Sequence, residues 1–305
     1  MGIHSSVRRV AVLGAGGLLG QHVAAEALAR GYHVLGTFHD VPVPPSSIEA
    51  AHLDMTNAEE TLQIIRRFAP EAVVLTSALT NVDYCERNPS KAWAVNAEGT
   101  LNVVQACDAV GAKLLYVSTD YVFSGDKGSR YMEFESPDPL SIYARTKLEG
   151  ERLTMDASTK NIVCRVSVLY GWNRVSQKQN FVTWVIDSLR RGKEVALFHD
   201  QTVSPTYVPH CAKVLLGLLE NNSRGVFHTS GPDCVSRHDV GVKIAEVFGL
   251  DPSLIKRIAT EESELVARRP VCSCLDVKKV EGELNMKMLP LEEGLRDMRS
   301  TEVKK

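Results

Sequence analysis

Arg9-Val10-Ala11-Val12-Leu13-Gly14-Ala15-Gly16-Gly17-Leu18-Leu19-Gly20 is the stretch that decides the fold. Val10 to Leu13 is a short apolar run that ends at glycine, the pattern of a buried strand. Beyond Gly20, Ala24, Ala25, Leu28 and Ala29 recur at helical spacing. Strand, glycine-rich turn and helix together are the context a dinucleotide site requires. Glycine lets the backbone approach a pyrophosphate, and the helix N-terminus offers free N–H groups with a partial positive charge. A turn of the same composition need hold no ligand; its place after the first strand of the chain favours binding.

Working outward, Tyr32 to Phe38 reads as the second strand, ending Thr37-Phe38-His39-Asp40. NAD-selective folds place a carboxylate at this strand end to bind the ribose hydroxyls. By register Phe38 takes that position and Asp40 falls too late. Without the carboxylate a 2′-phosphate is not repelled, and His39 is a weak cation to hold it. NADP(H) is therefore favoured and NAD(H) permitted. Val41 to Ser47 holds three prolines and reads as a loop. Leu53-Asp54-Met55-Thr56 leads into a helix, with Thr56 and Glu59 as a capping box. Ala72 to Thr76 is another buried strand, delivering Ser77, Ala78 and Leu79 to its C-terminal edge. A helical pattern runs from Ala92 to Val110 and contains Asn96. Lys113 to Val117 is the next strand, with Ser118, Thr119 and Asp120 at its tip; Ser124 to Pro139 is a loop, and Asn161 to Arg165 a further strand. Such alternation predicts an α/β fold with a Rossmann-type, doubly wound parallel sheet. Right-handed crossovers place all these strand tips along one edge.

Tyr143-Ala144-Arg145-Thr146-Lys147 begins a helix expected from Ser141 to about Leu153. The spacing puts Tyr143 and Lys147 on one face, one turn apart. An ammonium beside a phenol favours the phenolate and lowers its pKa, making the pair a proton donor or acceptor. With 8 Tyr in the chain, the spacing alone fits an ordinary solvated helix face equally well. Its position near Thr119, on a chain with a dinucleotide turn, is what points to chemistry.

Beyond Tyr170 the pattern loosens. Gly171 to Asn180 reads as a polar loop, Phe181 to Arg191 as a helix and Val195 to Phe198 as a short strand. A helix follows from Val208 to Leu219, Gly225 to His228 returns to the main sheet, and Val240 to Phe248 is helical. Residues 1–167, with a return near 207–232, are expected to form the dinucleotide-binding domain; 168–206 and 233–305 are expected to form a smaller, discontinuous substrate lobe.

Composition narrows the function. The chain has 305 residues, 24% charged, with net charge −2 and no long basic run. Nucleic acid and anionic membranes are poor partners for such a surface. No apolar run reaches the roughly 18 residues of a membrane span, and the N-terminus lacks the apolar core of a signal peptide. The 7 Cys lie scattered without a Cys-x-x-Cys, so buried free thiols in a reducing cytoplasm are expected, and no metal site.

The motifs jointly resemble the extended short-chain dehydrogenase/reductases, and within them the dTDP-4-dehydrorhamnose reductase family. The resemblance rests on Gly14-x-x-Gly17-x-x-Gly20, Leu79-Thr80-Asn81-Val82-Asp83, Val95-Asn96 and Ser118-Thr119-Asp120-Tyr121-Val122-Phe123 with Gly125. It extends to Tyr143-x-x-x-Lys147, Asn180-Phe181, Ser204-Pro205-Thr206 and Arg269-Pro270 with Ser273-x-Leu275-Asp276. It implies reduction of a 4-keto-6-deoxy sugar nucleotide by NAD(P)H. Tyr143 is then the general acid, Lys147 holds the nicotinamide ribose, Thr119 stabilises the developing alkoxide, and Asn96 orients Lys147. Gly14, Gly17, Leu18, Leu19 and Gly20 are expected at the pyrophosphate, with His39, Asp54 and Met55 at the adenosine end. Ser77, Ala78, Leu79 and Val117 are expected at the nicotinamide half, and Thr119, Asp120, Asn180, Gln201 and Arg269 at the substrate. Arg268 and Arg269 also suit a diphosphate. Val168 stands where the family carries a Trp against the substrate, so the sugar stays open, and Trp172 is the candidate to replace that wall. Other readings are an NADP-binding regulatory subunit like the methionine adenosyltransferase beta subunit, or a sugar-nucleotide epimerase or dehydratase. Dehydratases carry Thr-Asp-Glu where this chain has Thr119-Asp120-Tyr121. A homodimer is within the family's range.

Overall fold

The structure, a computed structural model, describes residues 9–43 and 48–303. Residues 44–47, the end of the expected proline-rich loop, lie outside the described residues.

In chain order the first half runs β1 (Arg9–Leu13), α1 (Leu18–Ala29), β2 (His33–Phe38), β3 (Glu49–His52), α2 (Ala58–Phe68), β4 (Ala72–Leu75), α3 (Val82–Arg87), α4 (Pro89–Trp93), α5 (Gly99–Val110), β5 (Lys113–Thr119), α6 (Ile142–Ala157) and β6 (Ile162–Val166). The second half runs β7 (Leu169–Tyr170), α7 (Phe181–Arg190), β8 (Val195–Phe198), β9 (Thr202–Val203), β10 (Thr206–Tyr207), α8 (Val208–Glu220), β11 (Gly225–His228), β12 (Val235–Ser236), α9 (Arg237–Phe248), β13 (Ile255–Ile258), α10 (Lys278–Leu284) and α11 (Leu291–Ser300).

Seven strands form one parallel sheet in the order β11-β6-β5-β4-β1-β2-β3. Strand residues alternate between its faces, as a two-residue repeat demands. Val10, Val12, Leu115 and Cys164 pack with Leu19, Val23 and Leu215 from α1 and α8. Ala11, Leu13, Leu114, Tyr116 and Val163 pack with Ile65, Phe68 and Val103 from α2 and α5. The strand order reverses between β1 and β4, where open α/β sheets leave a crevice beyond the strand C-termini. A further cluster gathers Val182, Val185, Ile186, Leu197, Ile244, Phe248, Leu295 and Met298, from α7, β8, α9 and α11. Val277, Val280 and Met288, from the C-terminal stretch, pack instead with the sheet's first face.

The return of Gly225–His228 to the sheet is as expected from sequence. Four local features differ. Strand β3 pairs with β2 across the loop whose sequence carried no strand pattern. The cap of α2 is Asn57, accepting from Glu60 N at 3.1 Å, not the Thr56–Glu59 box; an Asn side chain one residue later reaches the orphan N–H groups equally well. The helical pattern from Ala92 to Val110 is broken by a wide π turn at Ala94–Glu98. Finally, Cys234 and Cys274 form a disulfide, so the cysteines are not all free; Cys85, Cys107, Cys164, Cys211 and Cys272 are buried thiols.

Candidate active site

The glycine turn after β1 is shaped by close approach. Gly14 has φ +95°, a conformation that only glycine adopts without strain. Its N–H and that of Ala15 donate to the Thr37 carbonyl at 3.2 and 2.8 Å. A Cβ on Gly14 would press on Ser77, and one on Gly20 would collide with the Gly14 carbonyl oxygen. Helix α1 thus sits directly on the turn. Gly17 precedes it with no side-chain cap, so the first-turn N–H groups, including those of Leu18 and Leu19, keep their capacity for an anion.

At the end of β2, His39 lies 2.8 Å from Asp40 and 4.0 Å from Asp54, with its ring 5.6 Å from that of His52. The Asp54 carboxylate accepts from Thr56 N at 3.0 Å and Thr56 Oγ1 at 2.7 Å, which holds its pKa below the usual range. Its local role is that of a turn carboxylate. Met55 is buried against Gly99, and its carbonyl accepts from Asn102.

Ser77, Ala78 and Leu79 leave β4 at the same edge, with Ser77 N donating to the Leu13 carbonyl at 3.0 Å. Asn96 clamps this segment. Its Oδ1 accepts from Leu79 N at 2.8 Å, and its Nδ2 donates to Leu79 O and Thr146 Oγ1, both at 3.1 Å. Asn96 thereby ties the β4 tip to α6, one residue before Lys147. The π turn carries it, and such turns gather at functional sites.

Helix α6 is capped by Ser141 and presents Tyr143 and Lys147 toward β5. Burial pushes the Tyr143 phenol up, a hydrogen bond with Thr119 pulls it back in part, and Asp120 pushes it further up. Lys147 Nζ donates to the Val117 carbonyl at 2.7 Å and stands 4.0 Å over the Tyr116 ring. Burial brings it down to about 7, against the partly opposing charge of Glu151. The expected lowering of the phenol is thus reversed. Loss of water penalises the phenolate, and the Lys147 ammonium is turned to a carbonyl and an aromatic face.

Thr119 closes β5 and accepts from Tyr121 N at 3.2 Å. Asp120, expected at the sugar, is a buried hub. It accepts from Ser273 Oγ at 2.5 Å, Ser167 Oγ at 2.7 Å and Thr119 Oγ1 at 3.1 Å. Burial still raises its pKa. Ser167 Oγ in turn accepts from Ser204 N at 3.2 Å. One carboxylate so joins the tips of β5 and β6 to two later segments.

The remaining expected substrate residues have protein partners. Asn180 caps α7 through Thr183 N and donates to the Gly171 carbonyl at 2.7 Å. Gln201 is buried between Thr260 and Arg237. Arg269 pairs with Asp83 at 3.0 Å, holding the 267–269 segment to α3 rather than standing free. Trp172, the expected replacement wall, donates its indole N–H to the Met298 carbonyl at 2.7 Å, and its ring meets Phe248 edge-on. Val168 adopts φ +37°, which a β-branched residue rarely tolerates. The sequence reading passed over Arg237. It donates to Tyr121 OH at 3.2 Å, lies 5.5 Å over the Phe181 ring, and its charge lowers the Asp120 pKa. A cation in the first turn of α9, against the helix dipole, was the available signal. A cavity of about 770 Å³ lies at the opposite edge of the sheet, lined among others by Glu71, Lys113, Asn161 and Asn222, away from all these groups.

The chain is 35% identical over 285 residues to the probable low-salt glycan biosynthesis reductase Agl14 of Haloferax volcanii, covering 93% of this chain and 95% of that protein. It is 32% identical over 296 residues to methionine adenosyltransferase 2 subunit beta of Xenopus tropicalis, covering 95% and 86%. The crystal structure of dTDP-4-dehydrorhamnose reductase from Bacillus anthracis in complex with NADP superposes with a TM-score of 0.88 at 30% identity, covering 97% of this chain and all of that one. The RmlD substrate binding domain family matches residues 8–303, and by that span and these identities the chain belongs to it.

Proposed function

We propose that the protein is an NADPH-dependent reductase of a 4-keto-6-deoxy nucleotide sugar. One observation carries the reading: Tyr143 and Lys147 on α6 face the C-terminal tip of β5, where Thr119 interacts with the phenol and Val117 holds the ammonium, at the strand edge onto which the glycine turn opens. The residues fit a dinucleotide: an uncapped helix N-terminus, glycines with no room for a Cβ, and no carboxylate at Phe38. Gly17, Leu18 and Leu19 would hold the pyrophosphate, and Ser77, Ala78, Leu79 and Lys147 the nicotinamide half. When bound, the reduced nicotinamide supplies the hydride.

The chain's own work is at the carbonyl oxygen. Thr119 Oγ1 turns its one proton from Asp120 Oδ1 to this oxygen and stabilises the charge that develops there. Tyr143 Oη gives it a proton. A phenol shifted up by burial is fully protonated at neutral pH, the state that an acid needs. Asp120 does not meet the sugar in this account; through Ser167 and Ser273 it holds the tip of β5 in place. Positioning supplies much of the acceleration.

A second reading is a cofactor-binding subunit without turnover, favoured by the 32% identity to the methionine adenosyltransferase subunit. NADPH consumption against a panel of dTDP-, UDP- and GDP-4-keto-6-deoxy sugars separates the two. Turnover with at least one sugar is expected; tight NADPH binding with no turnover on any of them supports the subunit.

A further inference from the structure

The fold brings three of the seven cysteines together. Cys234, just before β12, is bonded to Cys274 across 40 residues. Cys272 is a free thiol, and the three sulfurs lie within 4.8 Å of one another. Cys272 and Cys274 are two apart on an extended segment, so their side chains share a face. Ser273 between them points the other way, to Asp120 at 2.5 Å. The segment is threaded between two others: Ser273 N donates to the Thr202 carbonyl, Cys272 N to that of Gly125, and Tyr131 N to that of Cys274. Cys234 is half-buried while Cys274 is fully buried, so a reagent from solvent meets Cys234 first.

We propose that Cys234, Cys272 and Cys274 form a thiol–disulfide exchange site in which Cys234 bonds to either of the other two, and whose partner is an external dithiol. In the internal step the Cys272 thiolate attacks Cys234 Sγ. The Cys272–Cys234 bond forms, the Cys234–Cys274 bond breaks, and the Cys274 thiolate takes up the proton that Cys272 lost; no electrons leave the protein. In the external step one thiolate of the dithiol attacks Cys234 Sγ and Cys274 leaves as thiolate. The second thiolate then closes the dithiol into its own disulfide and releases Cys234. The two protons of the dithiol pass to Cys234 and Cys274, and its two electrons reduce the bond. Both steps change how the segment on either side of Ser273 is anchored, and so the hold of Ser273 on Asp120.

Two experiments on the full chain decide it. In Cys274→Ser, oxidised with diamide, which takes the two hydrogens of a thiol pair, six cysteines remain of seven. After denaturation and alkylation, mass spectrometry is expected to find four modified, because Cys234 and Cys272 have joined. Six modified cysteines overturn the proposal. In the unmutated protein, dithiothreitol is expected to speed hydrogen exchange of the Tyr131 and Ser273 amides by about tenfold or more, with the amides of β5 unchanged. Cys234→Ser should show the fast rates with or without dithiothreitol. Unchanged rates on reduction, or purified protein with all three thiols on a bound metal ion, overturn it as well.

Discussion

Lys147 exchanges water for one carbonyl oxygen and one aromatic face, and its proton is held only to about pH 7. If the ammonium is needed for NADPH, kcat/KM for NADPH falls as pH rises through about 7, since that ratio reports the free protein. Glu151→Gln removes the charge that supports the ammonium, so the fall should move to lower pH. The stability sign is separate. A folded pKa below the unfolded value means that the unfolded chain binds more protons between about 7 and 10.5, so stability rises with pH across that window. Urea unfolding at pH 6.5 and 9.5 should show the parent gaining roughly 3 kcal/mol on Lys147→Met; a constant difference contradicts the burial account. Tyr143→Phe should lower kcat by about 10²–10⁴-fold while the NADPH Kd stays within about threefold. Stopped-flow and fluorescence titration measure the two.

At the scale of elements, the Asn96 clamp sits where the sequence showed only a helix. Period and composition of Ala92–Val110 are helical throughout, and the extra residue of a π turn leaves no trace in them. The glycine turn, by contrast, was legible because its cause is local: a strand run, glycines at fixed offsets, a helix. Tyr143 and Lys147 were legible as a pair by spacing, but not in their electrostatics, which depend on Val117, Tyr116 and Glu151 arriving from elsewhere. Asn96→Ala leaves Leu79 N without its partner, while Leu79 O keeps only the weak Cys85 thiol donor, at about 1–3 kcal/mol. Chemical denaturation should show that loss, and the NADPH Kd should rise because Ser77–Leu79 is freed. A stable variant with normal NADPH affinity contradicts the clamp. Gly14→Ala forces a Cβ onto Ser77 at a positive φ, and is expected to abolish NADPH binding before it abolishes the fold.

On the whole-molecule scale, what the sequence hid is what joins distant segments. The hub at Asp120 draws Ser167 and Ser273 from far along the chain, and nothing local marks them as partners. The disulfide joins two cysteines whose spacing fits no known pattern. Beneath the site a buried ion pair ties α6 to β6: Arg165 meets both Glu151 oxygens at 2.9 and 2.7 Å, and Ser118 donates to one of them at 2.5 Å. Arg165→Met strands the Glu151 charge and should cost roughly 3–5 kcal/mol, seen as a lower urea midpoint; an unchanged midpoint contradicts its burial.

The central claim is that this edge moves a hydride onto a sugar ketone with Tyr143 as the acid. Incubation with NADPH deuterated at the transferred position and a 4-keto-6-deoxy nucleotide sugar tests it most directly, by mass spectrometry of the sugar. The label should appear at C4 of the reduced sugar with the parent protein and be lost, or slowed by orders of magnitude, with Tyr143→Phe. Label transfer at the parent rate by Tyr143→Phe, or none by the parent with any sugar of the panel, contradicts the account.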